Sequence, residues 1–120
     1  MLEQYNTDIE GEVVDIGANV GDSSLYFAAK GASHVYAFEP LPLAYAVALE
    51  NIKLNHLENK ITLCNGAVGS KEGKIKVTSY IDINYSGLFS VTNEGNVEVP
   101  KISFGTVRMM VKTNTLSTFL

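Results

Sequence analysis

Four residues in the first third of the chain have the types and the spacing of a nucleoside-binding site. Asp15 lies in an apolar run, and Gly17 and Gly21 follow it in the segment Val-Val-Asp-Ile-Gly-Ala-Asn-Val-Gly. Glu39 comes at the end of the next apolar run. A glycine turn between a strand and a helix lets a ligand approach the backbone, and a carboxylate at the tip of the next strand accepts hydrogen bonds from both ribose hydroxyls. This spacing predicts binding of a nucleoside cofactor.

The two glycines have different predicted tasks. Gly17 lets the chain turn sharply off the strand, and Gly21 lets the next helix approach the sheet and leaves room for a ligand. The pattern Gly-x-x-x-Gly lacks the third glycine of the dinucleotide motif, because Ala18 and Asn19 occupy the intervening positions. An NAD-type nucleotide-binding fragment is therefore a disfavoured alternative, and a purely structural tight turn is another.

The role of Asp15 has several possible forms, and two further residues are candidates for the same site. Asp15 lies within an apolar strand, where a carboxylate needs hydrogen bonds, so it either holds the amides of the turn or faces an ammonium group of the ligand. The equally open alternative is that Asp15 only braces the loop structurally. Asn65 and Ala67 follow a third apolar run, at the same predicted edge of the sheet, where an amide or a backbone N–H could contact an adenine ring. The sequence shows no close cluster of His, Cys, Asp and Glu, so we expect no metal ion.

The apolar pattern predicts alternating strands and helices that position these residues. Residues 12–16, 34–39 and 61–64 are expected to be strands, with helices between them. The first run lacks the alternation of a half-buried strand, which favours a parallel strand buried on both faces. Right-handed crossovers then give a parallel sheet in the order 3-2-1.

The pattern changes after Gly66. Alternation in residues 74–78 and 107–111 predicts antiparallel, half-buried strands that extend the sheet beyond the third strand. Residues 82–96 are rich in Asn, Ser and Gly and predict a long loop. We therefore expect one domain, 1–120, made of a lead-in (1–10), a βαβαβ cofactor half (11–66) and a part with antiparallel strands and the long loop (67–120).

Composition limits the class of protein and its partners. With 46% hydrophobic and 18% charged residues, the 120-residue chain is expected to fold as a globular domain. A net charge of −4 argues against nucleic acid as a partner. The one cysteine, Cys64, lies in an apolar run and is expected to be a buried small hydrophobe rather than a catalytic thiol. No apolar stretch reaches a membrane span and the start has no basic region, so we expect a cytoplasmic protein without membrane contact.

A resemblance to a known family rests on three segments, which read Asp-Ile-Gly-Ala-Asn-Val-Gly, Tyr-Ala-Phe-Glu-Pro and Asn-Gly-Ala-Val-Gly. They resemble the FkbM family of S-adenosylmethionine-dependent methyltransferases, over a range from about Gly11 to Leu120. The resemblance implies an α/β, Rossmann-like methyltransferase fold with S-adenosylmethionine as cofactor. By this resemblance, Glu39 holds the ribose, and Asn65 and Ala67 lie beside the adenine. The methionine end of the cofactor is lined by Asp15, Gly17, Ala18, Asn19 and Gly21.

The resemblance also implies a reaction, the transfer of a methyl group to a hydroxyl oxygen of a small molecule or sugar. Family members continue into a further parallel strand with a Lys-x-Asp-x-Glu-Gly type motif, and this chain ends at Leu120, before it. We therefore expect a truncated fold, in which no residue is a convincing general base and activity is an open question. The alternative is a non-catalytic module that binds S-adenosylmethionine or oligomerises.

The first strand of the predicted sheet lacks a neighbour on one side if the chain ends at Leu120. The first strand is central in the full fold, so without a following parallel strand it becomes an unprotected apolar edge. We expect a homo-oligomer that covers this edge. The alternative is an internal cover, either by residues 1–10 or by the carboxyl-terminal tail.

Overall fold

The computed structural model describes residues 9–81, 89–111 and 116–119. Its elements, in chain order, are β1 (Glu12–Ile16), α1 (Asp22–Ala29), β2 (His34–Phe38), α2 (Pro42–Leu54), β3 (Ile61–Cys64), β4 (Ala67–Gly69), β5 (Gly73–Ile81), β6 (Phe89–Ser103), α3 (Phe104–Met110) and β7 (Leu116–Phe119). The three strands predicted in the first half are confirmed, except that β2 ends one residue earlier than expected.

Four strands form the main sheet, in the order β3-β2-β1-β7. β1 pairs in parallel with β2, which pairs in parallel with β3, so the predicted order 3-2-1 is confirmed. Four of the five residues of β1 are buried, which explains why its sequence does not alternate. One face of the sheet packs against α1 and α2 and the other against α3. The predicted α/β class, a parallel sheet with helices packed on it, is confirmed.

The edge of β1 is covered within the chain. β7 pairs with β1 in parallel, from Glu12 opposite Leu116 to Asp15 opposite Phe119. The prediction of an unprotected edge that a second copy must cover is therefore wrong, because the carboxyl-terminal tail supplies the missing strand and its hydrogen bonds. The other internal cover involved residues 1–10, of which residues 1–8 lie outside the described part. Self-association stays a prediction, but an uncovered edge of β1 no longer supports it.

The second half of the chain forms a sheet of its own. Its order is β4-β6-β5, with β6 parallel to β4 and antiparallel to β5. The prediction that these strands extend the main sheet beyond β3 is wrong, because Val77 and Val99 pack instead against Leu41 and Ala44 at the start of α2. The loop predicted over residues 82–96 is also wrong in part, since residues 89–96 belong to β6, while residues 82–88 lie outside the described part.

The strand predicted over residues 107–111 is wrong, because this segment lies mostly in α3. Ser103 caps the helix, and its Oγ accepts a hydrogen bond from the Thr106 N–H at 3.1 Å. Val107 is buried against β1 and β2, whereas Met109 is 87% exposed. The alternation that predicted a strand therefore does not correspond to a buried face. No helix in the described residues is long and apolar enough to cross a membrane.

Candidate functional site

The glycine turn, residues 17–21, joins β1 to α1 at the carboxyl edge of the main sheet. Gly17, Asn19 and Gly21 have φ angles of +79°, +53° and +93°. Glycine adopts this left-handed region freely, and asparagine is among the side chains that tolerate it. A Cβ added to Gly17 would meet no atom within 4 Å, so open space lies beside the backbone at the start of the turn.

Three consecutive backbone amides fasten the turn to the end of β2. The N–H groups of Gly17 and Ala18 both donate to the Phe38 carbonyl oxygen, at 2.9 and 3.0 Å. The N–H of Asn19 donates to Glu39 Oε1 at 2.7 Å. The amides of the turn are therefore satisfied inside the protein, and a carboxylate occupies the position at which an anion would otherwise bind.

Glu39 joins the turn to the start of α2. Its side chain is buried, with 5% of the residue exposed, and its second oxygen, Oε2, accepts a hydrogen bond from the Leu41 N–H at 2.9 Å. Leu41 is the residue that caps α2. A carboxylate oxygen has two lone-pair sites, so each oxygen can accept one further hydrogen bond. Glu39 can therefore hold two ligand hydroxyls while it keeps both backbone contacts.

Asp15 braces the first turn of α1. It is 2% exposed, and its Oδ2 accepts hydrogen bonds from Ser23 Oγ and Ser24 Oγ, both at 2.6 Å. The structure therefore shows structural bracing by Asp15, through hydroxyl groups of α1. The prediction that Asp15 holds the amides of the turn is wrong, because the Phe38 carbonyl and the Glu39 carboxylate accept hydrogen bonds from them. Contact of Asp15 with an ammonium group of the ligand stays a prediction.

Asn65 holds the connection between β2 and α2. Its Nδ2 donates to the carbonyl oxygens of Glu39 and Pro40, at 2.8 and 3.2 Å. Ala67 begins β4 two residues later and is half-buried. The structure thus brings the glycine turn, Glu39 and Asn65 together at the carboxyl edge of the sheet. Asp15 lies inside β1 and contacts the first turn of α1.

Sequence reasoning missed the contribution of α2 to this site. A Cβ added to Gly21 would lie 3.4 Å from Ala48 Cα. The missing side chain of Gly21 therefore lets α2 approach the glycine turn, whereas the sequence predicted that it lets α1 approach the sheet. Asn51 Nδ2 donates to the Val20 carbonyl oxygen at 2.8 Å. The available signal was a polar side chain at position 51, between Ala48 and Ile52 on the buried face of the helix.

The remaining polar candidates lie outside this chemistry. Cys64 is half-buried, and burial raises the pKa of its thiol, which keeps it protonated and unreactive. His34 Nε2 lies 2.7 Å from Thr62 Oγ1, away from the glycine turn. Within the described residues, no group of three or more His, Cys, Asp or Glu could hold a metal ion.

The geometry fits a cofactor that has hydroxyl groups and no phosphate. The open space beside Gly17, the buried carboxylate at the tip of β2 and the carboxyl edge of a parallel sheet are features of a nucleoside-cofactor site in an α/β domain. The chain matches the model of the family described as the TRM5/TYW2 methyltransferase domain, over residues 4–84. The chain belongs to this family, and S-adenosylmethionine is its cofactor.

Curated relatives match part of the chain at moderate identity. The chain is 45% identical over 51 residues to the ribosomal protein L11 methyltransferase of Carboxydothermus hydrogenoformans, and 38% identical over 77 residues to the protein arginine N-methyltransferase 1 of Oryza sativa subsp. indica. The matches include 42% and 64% of this chain but only 17% and 20% of those proteins. The chain therefore spans about a fifth of their length.

A solved structure shares the fold over almost the whole chain. The methyltransferase FkbM from Methylobacillus flagellatus aligns with a TM-score of 0.55 over 96% of this chain and 26% of its own, at 10% identity. At this identity the likeness shows the fold alone. The shared fold confirms the Rossmann-like fold class, and the family match over residues 4–84 confirms the methyltransferase superfamily. Membership of the FkbM family specifically is not confirmed.

Proposed function

We propose that this chain binds S-adenosylmethionine with the ribose hydroxyls at Glu39, the methionine end beside Gly17 and the adenine near Asn65 and Ala67. The observation that carries this proposal is the buried Glu39 carboxylate, which contacts the Asn19 and Leu41 amides and keeps lone pairs for two more donors. When bound, the cofactor supplies a methyl group activated by a sulfonium centre. The chain's own residues bind and orient it.

The same contacts argue against the NAD-type alternative. A dinucleotide pyrophosphate binds at free backbone amides of the glycine turn. Here the amides of Gly17, Ala18 and Asn19 already have partners. The negative charge of Glu39 would also repel a phosphate placed at the turn. A ribose without a phosphate avoids both costs.

For the acceptor, we propose a hydroxyl oxygen of a small molecule or a sugar. The support is the resemblance of the Phe-Glu-Pro and Asn-Gly-Ala-Val-Gly segments to the FkbM family, together with a net charge of −4, which disfavours nucleic acid. The relatives named for protein acceptors match only part of this chain. The matches cover a fifth or less of each of these relatives, so they do not favour a protein acceptor.

Calorimetry with S-adenosylhomocysteine tests the cofactor site. We expect the unmodified chain to bind, and Glu39→Gln to bind on the order of tenfold to a hundredfold more weakly, because a glutamine oxygen cannot accept from every donor that the carboxylate serves. Glu50→Gln is the matched control, since Glu50 lies exposed on α2. Circular dichroism checks that each variant is folded. No heat with the unmodified chain would contradict the proposal, and equal affinity of Glu39→Gln would contradict the role of Glu39.

Transfer of a tritiated methyl group tests the acceptor. The chain is incubated with labelled cofactor and either a panel of monosaccharides or an arginine-containing peptide. Label in a monosaccharide supports the proposed acceptor, and label in the peptide contradicts it while leaving the cofactor site intact. Binding without any transfer supports the alternative of a non-catalytic cofactor-binding module.

A further inference from the structure

We infer that Asn51 is a positioning residue of the cofactor site, which fixes the glycine turn relative to α2 through Val20. The inference rests on the proposed binding of S-adenosylmethionine at this turn. Asn51 Nδ2 donates to the Val20 carbonyl oxygen at 2.8 Å, across 31 positions of sequence. A carbonyl oxygen only accepts hydrogen bonds, so this contact requires the donor half of the amide.

Val20 lies in the middle of the segment that the contact with Asn51 restrains. Val20 lies between Asn19, whose amide contacts Glu39, and Gly21, which ends the turn. Asn19 and Gly21 have left-handed backbone angles, and glycine also populates other conformations readily, so the shape of this segment depends on the contacts that hold it. Asn51 holds the carbonyl in the middle of this segment and thereby restricts the peptide units on both sides.

α2 contacts the site at three places along its length. The Leu41 N–H at its start donates to Glu39 Oε2, and Ala48 lies against Gly21. Asn51 follows ten positions after Leu41, about 15 Å further along the helix. Because a helix is stiff over this length, α2 links the Glu39 carboxylate to residues 20–21 at the end of the glycine turn, in addition to the direct contact between Glu39 and Asn19. Asn51 is the side-chain contact through which it does so.

The test compares two isosteric substitutions on α2. Asn51→Asp keeps the shape and removes the donor, and we expect it to weaken S-adenosylhomocysteine binding about tenfold or more. Asn55→Asp is the matched control, because Asn55 Nδ2 also donates to a carbonyl of α2, that of Asn51, at 2.8 Å but at an exposed position away from the turn. It adds the same charge and is expected to bind within about twofold of the unmodified chain. Asn51→Ala, which adds no charge, is expected to behave like Asn51→Asp.

A ligand-free measurement separates this inference from the proposed function. Hydrogen exchange of the Asn19 amide, followed by NMR, is expected to be about tenfold faster in Asn51→Asp than in the unmodified chain and unchanged in Asn55→Asp. Unchanged exchange and affinity in both Asn51 variants would overturn the positioning role. If the unmodified chain failed to bind S-adenosylhomocysteine, the proposed function would fail, and the Asn19 exchange rate would still decide whether Asn51 positions the turn. Equal losses in the Asn51 and Asn55 variants would also overturn the inference.

Discussion

Adding one methyl group at Gly17 separates the stability of the glycine turn from its use as a binding site. A Cβ at this position meets no atom within 4 Å, so Gly17→Ala creates no clash in the ligand-free protein. Its cost is the left-handed φ of +79°, which destabilises an alanine by about 1–2 kcal/mol. The new methyl group, however, fills the space beside Gly17 in which the methionine end of the cofactor is proposed to bind. Overpacking of that kind costs about 1–3 kcal/mol, which lowers the affinity by about fivefold to more than a hundredfold.

Gly73→Ala is the matched control for this substitution. Gly73 also has a positive φ, +144°, and no atom within 4 Å of an added Cβ, but it lies at the start of β5, outside the site. Urea denaturation gives the stability of both variants, and calorimetry with S-adenosylhomocysteine gives their affinity. We expect both to be destabilised and only Gly17→Ala to bind weakly. Unchanged affinity in Gly17→Ala would refute the assignment of that space to the cofactor.

Three further predictions follow from the buried polar groups. Ser24→Ala removes one of the two hydroxyl groups that donate hydrogen bonds to Asp15, and it is expected to lower the free energy of unfolding by about 1–3 kcal/mol, measured by urea denaturation. An unchanged denaturation midpoint would contradict the bracing role of Asp15. Burial and the hydrogen bond to Glu12 raise the pKa of Tyr36 to about 12, so the stability that this phenol contributes is complete below about pH 10 and is lost as the pH rises towards 12. Tyrosinate absorbance and denaturation measure this loss, which Tyr36→Phe is expected to reduce. Burial raises the pKa of the Cys64 thiol, so alkylation by iodoacetamide at about pH 8 is expected to be slower than that of free cysteine, and an equal rate would show an exposed thiol.

Local sequence patterns predicted the amino-terminal half of the fold well. Each strand of the segment from Glu12 to Cys64 is a short apolar run that is bounded by turn residues, so its position depends on a few neighbours. The glycine turn and Glu39 followed from their spacing alone. The order of the first three strands followed from the handedness of the crossovers.

The rest depends on contacts between segments far apart in the chain. The Ser103 cap and the burial of Val107 against the main sheet make α3 a helix, although its apolar residues alternate. The pairing of β7 with β1 could not be derived from a tail that shows little apolar pattern. In the site, the carboxylate of Glu39 rather than that of Asp15 holds an amide of the turn. The sequence cannot distinguish the two carboxylates in this respect, because the difference depends on which one lies near the Asn19 amide and which near the Ser24 hydroxyl in the folded chain.

An NMR titration with S-adenosylhomocysteine tests most directly whether the cofactor binds where the glycine turn meets Glu39. We expect the amide resonances of Gly17, Asn19 and Leu41 to shift on addition of the ligand and to reach saturation together. We expect those of Lys53 and Lys74, which lie exposed at the far end of α2 and on β5, to stay in place. Saturable shifts confined to other residues, or no shifts at a concentration of about 1 mM, would show that the cofactor does not bind at this turn.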